Sequence, residues 1–203
     1  MRGVVYVAYG APARREAGYS IESLRRYHDW PVTVIGERVA EAAHIPEPRQ
    51  DHGGRWAKVR LDTLSPYDET LYLDADTRVH APIELGFDLL ADGWDMVLTA
   101  SECQGSDWLG HVEAEERDAT RAELRTDLLQ LQAGVFWFAK NARTAALFAV
   151  WREEWQRWGA NDQGALLRAI NKAPIKLWLL GRHWNTGRRD PIIEHRFGMA
   201  RER

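Results

Sequence analysis

The sequence predicts an α/β protein with a mostly parallel central sheet and helices on both faces. Three observations predict it. Short apolar runs with the composition of buried strands, such as Val4-Val5-Tyr6-Val7-Ala8 and Leu71-Tyr72-Leu73, recur along the chain. They alternate with segments of helical period, such as Arg14 to Tyr27 with Ala17, Ile21 and Leu24 on one face. Alternation of this kind puts a helix between successive strands, and right-handed crossovers lay those helices on both faces of the sheet. The chain is also long enough, at 203 residues with 45% hydrophobic and 28% charged side chains, to bury one full core without long disorder. One domain, residues 1–203, is expected.

Val4 to Ala8 is the first buried strand, Tyr9-Gly10-Ala11-Pro12 the turn after it, and Arg14 to Tyr27 the first helix. Pro31 to Ile35 is the second strand. Gly36 to Gly54 reads as an irregular, proline-containing connection and Arg55 to Leu64 as a short helix before Pro66. The Leu71–Leu73 strand follows and runs into Asp74-Ala75-Asp76-Thr77. Trp94 to Ala100 and Val135 to Phe138 are further strands. Between them, 101–130 is rich in Glu, Asp and Arg and helical in period from Glu113 to Leu129. Two readings stand for it, a solvated helix bridging two strands and a lid over a substrate. Asn141 is placed to cap a helix reaching Trp158, and Asn161-Asp162 opens another through Ile170. Beyond Pro174 come a short strand, Lys176 to Leu180, and a segment rich in Arg and His. The ten tryptophans are expected in the core or in cleft walls, where large aromatics dominate burial.

A net charge of −3 gives no global attraction for nucleic acid or anionic membranes, so any such partner needs a local patch. Arg182-His183-Trp184 with Arg188-Arg189 is one candidate. A solvated loop is its default reading, and stacking on a nucleic acid or neutralising a phosphorylated lipid is the alternative. The single Cys103 forms no intramolecular disulfide and supplies no Cys cluster for zinc, which fits a reducing cytoplasm. The apolar run after Met1-Arg2-Gly3 is too short for a secretory signal, and no stretch approaches the ~20 apolar residues of a membrane-spanning helix.

Chemistry concentrates where the Leu71–Leu73 strand meets two carboxylates one residue apart. Burying ionised Asp74 and Asp76 is costly without a compensating positive charge. If the strand persists, both side chains project to the same face and reach one ion. Hard oxygen ligands suit Mg²⁺ or Mn²⁺, which keep positions for diphosphate oxygens, and ligands dock at the carboxyl ends of strands in open α/β sheets. The plainer reading is a turn in which the Asp side chains cap backbone amides. A rival enzyme class, the haloacid-dehalogenase-like phosphatases, also writes Asp-x-Asp after an apolar strand and would use Asp74 as nucleophile. That pattern wants Thr or Val two residues past the second Asp, where Arg78 stands here.

Several segments, in order over nearly the whole chain, resemble the retaining GT-A-fold glycosyltransferases of family eight, the glycogenin and bacterial α-galactosyltransferase type. Tyr72-Leu73-Asp74-Ala75-Asp76-Thr77 resembles the family's metal-binding motif, and Ala57-Lys58-Val59 its helix that sends a cation toward the donor. Gln132-Ala133-Gly134-Val135 stands where the family writes Asn-Ser-Gly-Val. Asp162-Gln163-Gly164-Ala165-Leu166-Leu167 is similar to its Asp-Gln-Gly motif, Trp184-Asn185 to its aromatic-Asn pair, and Ile192-Ile193-Glu194-His195-Arg196-Phe197-Gly198 to its Val-Val-x-His-x-x-Gly.

The resemblance implies a single GT-A domain, a Mn²⁺ or Mg²⁺ ion on Asp74, Asp76 and His195, and a nucleoside diphosphate sugar donor, most naturally a uridine-linked hexose. It implies that Ala8 and Tyr9 meet the base, that Lys58 and Arg201 meet the phosphates, and that Gly198 lets backbone approach the diphosphate. Ala75, Gln132, Gly134 and Asn185 complete the donor site, and Asp162 and Gln163 orient the transferred sugar, with retention of configuration. Arg201 replaces the family's Lys without the Pro-Trp that follows it, and Gln132 and Ala133 depart from its Asn and Ser. The basic, aromatic extension that binds some relatives to membranes is not written here, which favours a soluble acceptor. A non-catalytic nucleotide-sugar binder is the remaining alternative, and neither the acceptor nor the oligomeric state is legible.

Overall fold

A computed structural model describes residues 1–50, 54–101, 108–124, 129–159 and 161–201. Its strands are β1 (Arg2–Ala8), β2 (Val32–Gly36), β3 (Ala43–Ile45), β4 (Glu69–Leu73), β5 (Thr77–Val79), β6 (Met96–Ala100), β7 (Leu131–Ala139), β8 (Leu177–Leu180) and β9 (Ile193–His195). Its helices are α1 (Gly10–Arg25), α2 (Arg55–Lys58), α3 (Leu61–Leu64), α4 (Leu85–Ala91), α5 (Ala114–Glu123), α6 (Ala142–Trp158) and α7 (Asp162–Lys172). Seven strands form one sheet in the order β3-β2-β1-β4-β7-β6-β8, and β5 pairs with β9 in a separate ribbon.

The sheet is mostly parallel, with β7 running against its neighbours β4 and β6. The nine residues of β7, LQAGVFWFA, are almost wholly buried, as expected for a central strand covered on both faces. On one face α1 and α4 pack Ala17, Ile21, Leu24 and Phe87 against Val4, Tyr6, Leu71 and Trp137. On the other, α6 and α7 pack Phe148, Trp151 and Leu166 against Tyr72, Phe136 and Phe138. Phe136 meets Trp151 edge-on at 5.9 Å, which explains where part of the tryptophan content goes.

Local chemistry sets the helix ends. Asn141 caps α6 by accepting from Arg143 and Thr144 amides, while the Thr144 hydroxyl accepts from the Asn141 amide, a reciprocal capping box. Gly159 ends that helix at φ 70°. α1 starts at Gly10, earlier than the expected Arg14, because Pro12 falls in its first turn, where a missing N–H is tolerated. The expected helix from Arg55 to Leu64 is two short helices parted at Val59-Arg60, a break that turns both Lys58 and Leu61 inward. The connection read as irregular contains β3, and β5 and α4 were not expected. The helix expected from Glu113 to Leu129 is α5, which ends at Glu123; residues 125–128 and Cys103 lie outside the described residues. Among the described residues no helix is long and apolar enough to cross a membrane.

Candidate functional site

β4 ends at Leu73, and Asp74 to Asp76 form a turn closed by the Thr77 amide donating to the Asp74 carbonyl at 3.2 Å. The two carboxylates therefore converge through a turn, not through the pleat of a continuing strand. The turn leads into β5, whose Thr77 pairs with His195 of β9. This ribbon carries His195 back from the far end of the chain to the carboxylates. Its Nε2 lies 3.2 Å from Asp76 and 3.6 Å from Asp74.

One ligand atom from each of Asp74, Asp76 and His195 falls within 4.8 Å of the others. Two hard oxygens and a borderline imidazole nitrogen form a donor set that fits Mn²⁺ or Mg²⁺. His195 Nδ1 lies 2.7 Å from Asn185 Oδ1, an oxygen that can only accept, so the proton sits on Nδ1 and Nε2 turns to the carboxylates. Asn185 is itself buried, which makes it a support for His195 before anything else. Gly134 is the floor: a Cβ there would lie 2.4 Å from His195 Cε1 and 2.9 Å from Asp74 Oδ2. The Gly134 carbonyl also accepts the Asp74 amide at 2.8 Å.

Lys58, expected to meet the donor phosphates, is buried with its ammonium 2.8 Å from Asp162 and 2.9 Å from Asp74, not paired with its i+4 neighbour Asp62. Asp62 pairs instead with Arg152. Burial alone would lower the Lys58 pKa, but the two carboxylates outweigh it and raise the pKa above the usual lysine value, so the charge is kept. Tyr72 donates its hydroxyl to Asp74 at 2.6 Å and lies under the Lys58 ammonium. Asp162 could have been a mere helix cap. Asn161 does the capping instead, accepting the Gln163 amide at 2.8 Å, and leaves the Asp162 carboxylate free to turn to Lys58 and, at 3.8 Å, to Arg55. Burial pushes Asp162 up, and the charges of Lys58 and Arg55 more than reverse it, holding it below the usual carboxylate range. Asp76 is likewise pushed up by burial and brought below that range by His195 and by backbone amides, Ala200's among them. The amide-capping reading of the Asp-Ala-Asp segment therefore holds in part beside the ligand reading.

Gln163 donates to Gln132 and accepts from Gln130 at 3.0 Å, and Gln130 also meets the Leu109 amide and approaches His111. Sequence reasoning missed Gln130, Tyr72, Arg55 and His111. Gln130 had a signal, a polar residue alternating with Gln132 between leucines at the start of a strand. Ala8 and Ala75 are buried beside the site, and Tyr9 packs its ring against Gly36 and Gly54, with only 8% of the residue exposed. That burial leaves little ring surface for stacking on a base. Gly198 has φ 86° and open space at its Cβ position, so the backbone there is approachable. Arg201 is exposed; burial lowers the pKa of His111 against the opposing pull of Asp162 and Gln163, and the Arg201 charge adds a smaller push the same way as burial. Trp184 of the basic segment turns inward onto Trp137, at 5.9 Å, while Arg182, Arg188 and Arg189 stay exposed.

No protein-family model matches the chain, and no curated protein matches it in sequence. Solved structures do resemble it. It is similar to the galactosyltransferase LgtC in complex with donor and acceptor sugar analogs, at TM-score 0.65 and 13% identity, covering 98% of this chain and 87% of that one. The bifunctional glycosyltransferase WbbM gives TM-score 0.66 at 13% identity over 97% of this chain and 46% of that one. Mouse xyloside xylosyltransferase 1 gives 0.60 at 14% identity over 91% and 87%. The chain has the GT-A glycosyltransferase fold of these neighbours.

Proposed function

We propose that residues 1–203 form one catalytic domain that transfers a hexose from a nucleoside diphosphate sugar, uridine-linked, to an acceptor. One observation carries the reading: Asp74, Asp76 and His195 meet just past the carboxyl end of β4 on a glycine floor, beside the buried Lys58–Asp162 pair. The donor set suits Mn²⁺ or Mg²⁺, held by those three residues, and such an ion supplies positive charge to a departing diphosphate.

The chain's own residues do the rest. Asn185 keeps Nε2 of His195 aimed at the ion site. Lys58 fixes Asp162 relative to Asp74 and adds positive charge where the diphosphate leaves. Asp162 and Gln163, the latter clamped between Gln130 and Gln132, orient the sugar. Gly198 and Arg201 meet the phosphates, and Ala8 and Tyr9 frame the base through backbone groups. Retention of configuration follows from the family resemblance. The phosphatase reading loses support because Asp74, its required nucleophile, has one oxygen held by Tyr72 and Lys58 in a fold shared with glycosyltransferases.

The test is a panel of nucleotide sugars with Mn²⁺, read by thermal shift and diphosphate release. A uridine-linked sugar should raise the melting temperature and release UDP, since a ligand that binds only the folded state stabilises it. Phosphoester hydrolysis without any nucleotide-sugar turnover would overturn the reading. An Asp162→Ala protein that binds UDP normally yet transfers as fast as wild type would remove that residue's role.

A further inference from the structure

The outer face of α1 borders two adjoining open depressions of about 330 and 530 Å³ that share Tyr19 and Glu22 as a common wall. Arg26, Arg78 and Arg196 line the first and Arg14, Arg15 and Arg38 the second, with Glu22 the acidic lining residue among those described. In a chain of net charge −3 this is a local reversal of sign. Its neutralisation within the protein is partial. Arg78 is fixed by buried Glu16 at 2.5 Å, and Arg196 reaches the same carboxylate only at 3.9 Å. Arg14–Glu37 at 3.0 Å and Arg26–Glu22 at 3.5 Å are solvent-exposed pairs of little worth. Arg15 and Arg38 make no ion pair among the described residues.

The shared wall has an aromatic surface. Tyr19 is 50% exposed, and the Arg78 guanidinium lies 5.3 Å from its ring centre. The β5–β9 ribbon links the groove to the transfer site by its backbone: Arg78 stands two residues past Asp76, and the Arg196 amide, next after His195, donates to the Asp76 carbonyl at 2.8 Å.

We propose that this groove docks the acceptor, and that the acceptor is a soluble oligosaccharide bearing phosphate or carboxylate groups; the acceptor role rests on the glycosyl-transfer reading above. Guanidinium forks take such anions two bonds at a time, and the Tyr19 face packs a sugar ring. The exposed apolar residues Trp178, Phe197 and Met199 lie outside the lining, so apart from Tyr19 the groove offers a bilayer no large exposed apolar side chain to insert. A single aromatic is poor for single-stranded nucleic acid, which stacks successive bases.

The test is fluorescence anisotropy with a labelled heparin octasaccharide as anionic probe, a neutral dextran octasaccharide, oligouridylate and phosphatidylglycerol vesicles, with UDP and Mn²⁺ binding measured in parallel. Heparin should bind, lose affinity as salt rises, and bind about tenfold more weakly to Arg15→Glu/Arg38→Glu. The control Arg188→Glu/Arg189→Glu should leave it unchanged, and both variants should bind UDP as wild type does. Equal weakening by the control pair, no weakening by the groove pair, dextran binding as tight as heparin, or preference for vesicles or oligouridylate would each overturn the groove. Wild-type protein that binds heparin but not UDP would overturn the donor reading, and with it the acceptor role, while leaving the anion site in place.

Discussion

The helix α7 carries a buried ionic cluster at each end, and the two are built in opposite ways. At Arg168 every N–H group is accepted: Nε by Glu154, Nη1 by Glu116 and Thr120, Nη2 by Glu116 and the Glu154 carbonyl. Lys172 adds a second cation on Glu154. The cluster joins three helices, and Glu116 and Thr120 are the buried side chains of α5, an otherwise polar helix. Glu116 even needs Gly164, since a Cβ there would come within 2.8 Å of its Oε1. At Asp162 the count runs the other way. Asp74 and Asp162 flank Lys58, with Arg55 more distant; Asp76 lies against His195 beside them, and the buried Nδ2 of Asn185 has no partner among the described residues. A cluster whose cation is fully accepted is architecture even with Glu116 Oε2 unpartnered among the described residues, while one with more carboxylates than cations has room for a cation from outside.

Opposite substitution profiles would sharpen that contrast. Arg168→Met should cost about 3–5 kcal/mol of unfolding free energy in a denaturant titration, because it strands Glu116 and Glu154 without their partner. Adding Glu116→Leu should return part of the loss. Asp76→Asn, by contrast, should leave the melting temperature of the metal-free protein unchanged or raised, since it removes one of several crowded negative charges. Its metal-dependent sugar turnover should fall by about 10²–10³, measured as UDP release. If Arg168→Met were stable and Asp76→Asn unfolded, the two clusters would have exchanged roles.

The closed cluster was invisible in the sequence, and the open one was largely written there. Asp74, Asp76 and His195 stand in motifs whose spacing carries meaning, and strand pairing of Thr77 with His195 is the fold's way of joining them. Glu116, Glu154 and Arg168 look like ordinary solvated helix charges, because nothing local distinguishes a charge facing water from one facing another helix. Strand existence was legible wherever apolar runs were long, as in β1, β4 and β7. The reversed direction of β7 was not, since burial on both faces gives one composition to parallel and antiparallel strands alike. β3 and β5 are three residues each, too short to show a period. The role of Asn161 was half legible, because two adjacent cap-forming residues competed for one position.

Smaller effects should separate the open cluster's supports from its ligands. Asn185→Ala removes the acceptor for His195 Nδ1 and should weaken Mn²⁺ binding about 10–100-fold by calorimetry, with little loss of fold. Asn185→Asp, which keeps an acceptor oxygen, should recover most of it; a merely structural Asn would show no such rescue. Smallest is Asn161→Ala, which deletes the α7 cap and should cost about 1 kcal/mol. Its consequence for the comparison is larger than its energy. With Asn161 gone, Asp162 becomes the nearest side chain able to satisfy the first amides of α7, and each carboxylate drawn to that task leaves Lys58. Transfer should then fall by more than the stability loss explains, with UDP affinity retained. A fall in transfer that only tracks the unfolded fraction would mean that the cap and the Lys58 pair are independent, and that Asp162 is held by Lys58 alone.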